Sequence, residues 1–169
     1  MLKLILSIFL TVSPIWPLGQ NPLPGDSFVI INKKTNQLSI IDENRVQTII
    51  SVSTGKTEDL TPDGLFTITV KAVEPYYRKK NIAGGHEDNP LGTRWIGFDA
   101  KNTDGRIYGI HGTNNPGTIG NYVSNGCVRM QNEAVESIYD LIPLGTKVLI
   151  TKSDKSFEEL AKEYGAIHE

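Results

Sequence analysis

The sequence predicts a mainly β protein, a sandwich or barrel carrying two short helices. Three observations lead there. Short runs rich in β-branched and aromatic residues recur along most of the chain. Gly, Pro and Asn punctuate the gaps between them. Apolar residues at helical 3–4 spacing occur in two places, both near the C-terminus. Many short strands with such punctuation favour packed or closed sheets over alternating strand–helix units.

The elements follow in order. Lys3 is the only charge before Asp26, and the apolar run Leu4–Val12 is too short to span a bilayer. Pro14, Pro17 and Gly19 then break any helix. Residues 1–19 are therefore expected to be an export signal, with an apolar N-terminal strand or an uncleaved anchor as the alternative, since no Ala-x-Ala cleavage site is present. Residues 20–26 read as a linker and 27–169 as the folded domain. Strands are expected at Ser27–Asn32, Gln37–Asp42, Val46–Ser51, Leu65–Val70, Arg94–Asp99, Arg106–Ile110 and Thr146–Thr151. Lys33–Asn36 reads as a hairpin turn. Glu74–Gly92 is long, polar and glycine-containing, a loop of the kind that forms lids or substrate walls. Asn132 is placed to cap a helix whose Ala134, Val135, Ile138, Leu141 and Ile142 share one face. Ser156 and Glu159 form a capping box that opens a helix ending near Gly165.

Composition narrows the function. The 169 residues suit one domain with an adequate core. A formal net charge of −2 gives no global pull toward nucleic acid or anionic membrane. One cysteine cannot make an intrachain disulfide. His86 and His168 stand isolated, so no zinc-ligand spacing exists, and no phosphate-binding glycine motif is present. No metal or cofactor is expected, and the protein is expected to act as a monomer.

The chemistry gathers around that cysteine. Cys127 lies in Ser124-Asn125-Gly126-Cys127-Val128-Arg129-Met130, sixteen positions after the histidine of Ile110-His111-Gly112-Thr113. An isolated cysteine is read first as a buried structural residue. A histidine one loop away instead makes a Cys–His nucleophile pair. The pattern resembles the L,D-transpeptidase catalytic domain family, the cysteine enzymes that cross-link bacterial peptidoglycan. Two further blocks carry the resemblance: Ser53-Thr54-Gly55-Lys56 with Thr61-Pro62-Asp63-Gly64-Leu65-Phe66, and Asn89-Pro90-Leu91-Gly92 ahead of Trp95-Ile96-Gly97-Phe98. The likeness spans about residues 27–151. One departure stands out. The family often has a histidine two before the cysteine, and here that position is Asn125, so a proton relay there is not available.

Cys127 is the candidate nucleophile and His111 its candidate base, because a thiol of pKa near 8.5 is mostly protonated at neutral pH. No Asp or Glu lies between them. A backbone carbonyl, that of Gly112, is the expected partner of the imidazole, as the resemblance also implies, with Asp99 and Asp104 read as solvated turn residues. Backbone N–H groups of Gly126 and Cys127 are candidate oxyanion donors, and Gly126 admits close approach. Tyr108 offers a hydroxyl or is an ordinary strand aromatic. Ser124 holds the motif loop or touches the histidine. Asn125 is grouped with the substrate-facing residues. Arg129 offers a fork for a substrate carboxylate, the alternative being a brace to an internal acid. The Ser53–Lys56 and Thr61–Gly64 blocks read mainly as turns at a sheet edge.

The resemblance thus implies an L,D-transpeptidase fold and activity, peptidoglycan stem peptides as substrate, carbapenem-type β-lactams as inhibitors, and an exported, wall-associated protein. An L,D-carboxypeptidase, a sortase-like transpeptidase and a non-catalytic wall-binding module are the alternatives.

Overall fold

In the computed structural model residues 22–168 are described; the leader expected at 1–19 lies outside them, as do residues 20 and 21 of the linker. Among the described residues ten strands form: β1 Phe28–Asn32, β2 Gln37–Asp42, β3 Arg45–Ser51, β4 Thr54–Gly55, β5 Gly64–Val73, β6 Arg94–Phe98, β7 Tyr108–His111, β8 Tyr122–Ser124, β9 Val128–Arg129 and β10 Lys147–Thr151. Eight of them make one sheet in the order β3-β2-β1-β10-β5-β6-β7-β9, and β4 pairs with β8. The β1–β10 and β7–β9 pairs are parallel.

β1 is buried along its whole length, and its alternation explains why. Val29 and Ile31 enter the main core with Leu38, Ile40, Ile96, Phe98, Ile110, Val128 and Met130. Phe28 and Ile30 face the other way, onto Leu149 of β10 and onto Phe157, Leu160 and Ala161 of helix α2, Phe157–Glu163. A strand covered on both faces reads as an unbroken apolar run rather than an alternating one. The main core joins residues of β1 and β2 to residues of β6, β7 and β9, so the sheet wraps around it.

α1, Asn132–Tyr139, drops Val135 and Ile138 into the same core. Two expectations change here. Gln131, not Asn132, occupies the N-cap, and no side chain caps it. Asn132 is already helical and its amide is used elsewhere. The helix also stops at Tyr139, so Ile142 is buried by the turn that follows while Leu141 is exposed. The Ser156–Glu159 capping box forms as read, with both of its reciprocal bonds present.

The Glu74–Gly92 loop is internally tied. Buried Asn89 donates from Nδ2 to the Pro75 and Ala83 carbonyls at 2.8 and 3.0 Å, and its Oδ1 accepts the Leu91 N–H at 3.0 Å. Tyr77 and Ile82 form an isolated bridge inside it.

Candidate active site

β7 and β9 set the site. In their parallel register Ile110 faces Val128 and His111 faces Arg129. Ile110, Val128 and Met130 are fully buried in the core, so by alternation His111 and Arg129 occupy the opposite face. Cys127, two before Arg129, joins them there, directly ahead of β9. β7 was expected to end at Ile110; it continues to His111, which fixes the imidazole on a strand.

His111 is 3% exposed. Its ring stacks on Trp95, the residue opposite it on β6, at 5.3 Å between centroids. Trp95 is held by its Nε1–H, which donates to the Gly105 carbonyl at 2.8 Å. The indole lies over Gly109, where a Cβ would come within 2.7 Å of the ring. The other side of the imidazole is fixed by backbone: Nδ1 lies 2.6 Å from the Gly112 carbonyl oxygen. A carbonyl only accepts, so Nδ1 carries the proton and Nε2 is left with a lone pair. Burial lowers the His111 pKa to about 4, against the Gly112 and Leu91 carbonyls, which favour the protonated ring; the Arg129 charge pushes it lower. His111 is therefore neutral across the ordinary working range.

Burial also raises the Cys127 pKa, opposed by the Gly109 backbone and by the charges of Arg129 and Lys79. The thiol donates weakly to the Ile107 carbonyl at 3.5 Å. The resting pair is thus thiol and neutral imidazole, not thiolate and imidazolium. Lys79 belongs to the Glu74–Gly92 loop, as does Leu91, so this loop acts electrostatically on both site residues.

The loop that presents Cys127 is held at three points. Ser124 Oγ donates to the Cys127 carbonyl at 2.6 Å and accepts the Gly126 N–H at 3.1 Å. Ser124 thus holds the loop. The Gly126 N–H, expected as an oxyanion donor, is consumed by this bond. Buried Thr61 accepts the Gly55 N–H at 2.8 Å and donates to the Gly126 carbonyl at 3.0 Å. Ser53 exchanges both backbone bonds with Arg129 at 2.8 and 2.9 Å. The Ser53–Lys56 and Thr61–Gly64 blocks are consequently neighbours of the cysteine loop and not merely edge turns. Buried Lys33 anchors the latter, donating to the Glu58 and Thr61 carbonyls and pairing with Asp63, each at 2.9 Å.

Gly126 has φ +131°, and a Cβ there would meet the Leu60 carbonyl oxygen at 2.7 Å and the Tyr108 ring at 3.1 Å. Tyr108 meets the loop through its ring, which also stacks on Phe98 at 6.3 Å. Asn125 is exposed at the tip of the loop. Arg129 forms no ion pair with any carboxylate among the described residues, and its Nε is buried without a hydrogen-bond acceptor. The internal-acid alternative therefore has no partner here. Asp104 pairs with Arg106 at the surface, and Asp99 accepts the Thr67 N–H at 2.8 Å; neither serves the imidazole. No group of three metal-ligating side chains occurs among the described residues.

Trp95, Thr61, Ser53 and Asn132 were not read as site residues from sequence. A signal for Trp95 existed: glycines at 97 and 109 flank it in the adjacent strand positions that a large ring would need empty.

Comparison with known proteins bears on the family and the fold. Residues 26–150 match the YkuD family, the L,D-transpeptidase catalytic domain. YqjB of Bacillus subtilis, which carries a provisional L,D-transpeptidase name, is 63% identical over 161 residues, covering 95% of this chain and 92% of that protein. Among solved structures, the catalytic domain of the Enterococcus faecium enzyme superposes with a TM-score of 0.57 at 21% identity, over 75% of this chain and 97% of that domain. L,D-transpeptidase 3 of Mycobacterium tuberculosis, which carries a faropenem-derived adduct, gives 0.61 at 16% identity; the match covers 76% of this chain and 61% of that one. At such identities the structural likeness speaks to the fold alone, and it is a mainly β fold as expected. Family match and relative together show that this chain belongs to the L,D-transpeptidase catalytic domain family.

Proposed function

We propose that this protein is a peptidoglycan L,D-transpeptidase that works through a Cys127 thioester. The observation carrying the reading is the parallel register that sets His111 beside Arg129, two residues past Cys127, with Nδ1 committed to the Gly112 carbonyl so that Nε2 is the nitrogen left with a lone pair. Cys127 Sγ attacks the carbonyl of an L-centre to D-residue bond in a donor stem. Its proton passes to Nε2 as the S–C bond forms, because a raised thiol pKa and a lowered imidazole pKa disfavour an ion pair before substrate arrives. The C–N bond then breaks, and the imidazolium returns its proton to the departing D-amino acid. An acceptor amine attacks the thioester, loses a proton to His111 and restores the thiol. Water in place of the amine would give the carboxypeptidase outcome. With the Gly126 N–H engaged, the Cys127 N–H is the backbone donor left for the oxyanion.

Arg129 suits a stem carboxylate, since its buried Nε lacks an acceptor and no carboxylate of the described residues pairs with it. A wall substrate requires export, which the apolar segment at 4–12 supports. β-Lactams, as strained acyl donors, would acylate the same thiol. The deciding experiment incubates purified protein with muropeptides and follows products by mass spectrometry. Cross-linked dimers lacking the terminal D-residue are expected. Absence of both dimer and trimmed monomer, with a thiol shown to be alkylatable, would overturn the reading.

A further inference from the structure

Asn132 lies on α1, outside the cysteine motif and the histidine motif, yet it is in contact with the site's backbone. Its Oδ1 accepts two backbone N–H groups, from Thr93 and from Thr113, each at 3.2 Å. Thr93 directly follows the Glu74–Gly92 loop. Thr113 is two residues past His111. The amide therefore ties the end of that loop to the segment that leaves β7. Glycine is required on both sides. A Cβ on Gly112 would sit 2.1 Å from Oδ1, and a Cβ on Gly92, at φ +64°, would sit 2.2 Å from it. The two glycine backbones are themselves in contact, since the Gly112 Cβ position lies 3.2 Å from the Gly92 Cα.

The Gly112 peptide so enclosed is the one whose carbonyl holds His111 Nδ1 at 2.6 Å. Leu91, next to Gly92, supplies the second carbonyl that favours the charged ring. Both acceptors are thus carried by backbone that Asn132 fastens. A side chain that merely fastened the helix would satisfy its own helix terminus. Here the N-cap position belongs to Gln131 and carries no side-chain bond, while the Asn132 oxygen is spent on two other segments.

We propose that Asn132 is a positioning residue for His111: by binding the Thr93 and Thr113 amides it fixes the Gly112 carbonyl, and so holds the imidazole in the Nδ1-protonated tautomer with Nε2 presented to Cys127. The inference rests on the base role of His111 stated above. It works through geometry, and a displacement of about 1 Å at such a group is enough to cost roughly a hundredfold in rate.

Two variants separate positioning from support. Asn132→Ala removes the acceptor. Asn132→Asp keeps an oxygen of the same reach for both amides and adds a negative charge near the ring, at a helix N-terminus that tolerates it. The other groups acting on the ring are Arg129 from β9, whose charge lowers its pKa, and the uncharged Trp95 from β6, stacked on it. The readouts are the 15N shifts of the His111 imidazole against pH, the alkylation rate of Cys127 by iodoacetamide against pH, and melting temperature. None needs a muropeptide, so a failed transpeptidase assay and a failed positioning role remain distinct. Asn132→Ala is expected to lose the single-tautomer signature and to slow alkylation by about tenfold or more. Asn132→Asp is expected to keep the tautomer and to move the ring's titration upward in pH. On muropeptides the alanine variant should lower kcat with KM little changed. If both variants keep the wild-type tautomer and titration, whatever their melting temperatures, the positioning role is wrong. Should Asn132→Ala not fold, an unshifted titration in Asn132→Asp overturns it alone.

Discussion

His111 shows how much a single buried group can govern. Its pKa falls to about 4 in the fold and returns to about 6.5 when the chain unfolds. The unfolded chain therefore binds more protons between those values, and folding favours the neutral ring. This contribution to stability is complete above pH 6.5 and is lost as pH falls from 6.5 toward 4. The slope approaches about 1.4 kcal/mol per pH unit inside that window. Melting temperatures of wild type and His111→Gln across pH 4–7 should converge toward the acid end, and parallel curves would show that the ring does not titrate this way. The same shift places the acid limb of the rate profile near 4 rather than near 6.5. Cys127→Ala should abolish both product and covalent adduct while keeping the fold, as read by mass and melting temperature. Arg129→Lys should lower kcat/KM by more than the ~1 kcal/mol of a lost surface pair, because a lysine lacks the planar fork. Equal losses in melting temperature and alkylation rate would reassign Arg129 to bracing.

At the scale of elements, the cysteine loop is stabilised from outside itself. Thr61→Val keeps the shape but leaves the Gly55 N–H and the Gly126 carbonyl without their partner, which costs about 1–3 kcal/mol for each buried group stranded. A drop in denaturation midpoint together with slower Cys127 alkylation is the expected pair of results; a stability loss with unchanged alkylation would detach Thr61 from the loop. The sequence reading reached the long strands because each is a run whose alternation or full burial is written in its own residues, as in Phe28–Asn32. β4, β8 and β9 escaped it, being two or three residues long and defined by partners far along the chain. The Cys–His–Gly112 line was legible because the residues around Cys127 and His111 resemble a family pattern; a lone cysteine and a histidine one loop away would not have been enough. The roles of Thr61 and Asn132 were not, since each depends on which distant backbone a small polar side chain happens to meet. Asn132 before an apolar helix face looks like a cap, and only tertiary contact assigns its oxygen elsewhere.

For the whole molecule, the sheet is stabilised on two sides by separate apolar clusters, and α2 closes the second. Leu160→Ala should cost about 2–5 kcal/mol, yet α2 lies on the cluster remote from β7 and β9, so alkylation of Cys127 in the folded fraction should match wild type. A carbapenem adduct, located by mass on the Cys127 peptide, tests the assembled site; no adduct at excess drug with a reactive thiol would count against the proposed chemistry. The protonated resting state of Cys127 has one more consequence. Peroxide attacks thiolates, and this chain has no second cysteine to rescue a sulfenic acid as a disulfide. A half-buried thiol whose pKa is raised, and which depends on His111 to take its proton as it attacks, offers oxidants little thiolate between turnovers. The raised pKa that slows the resting nucleophile therefore also preserves it.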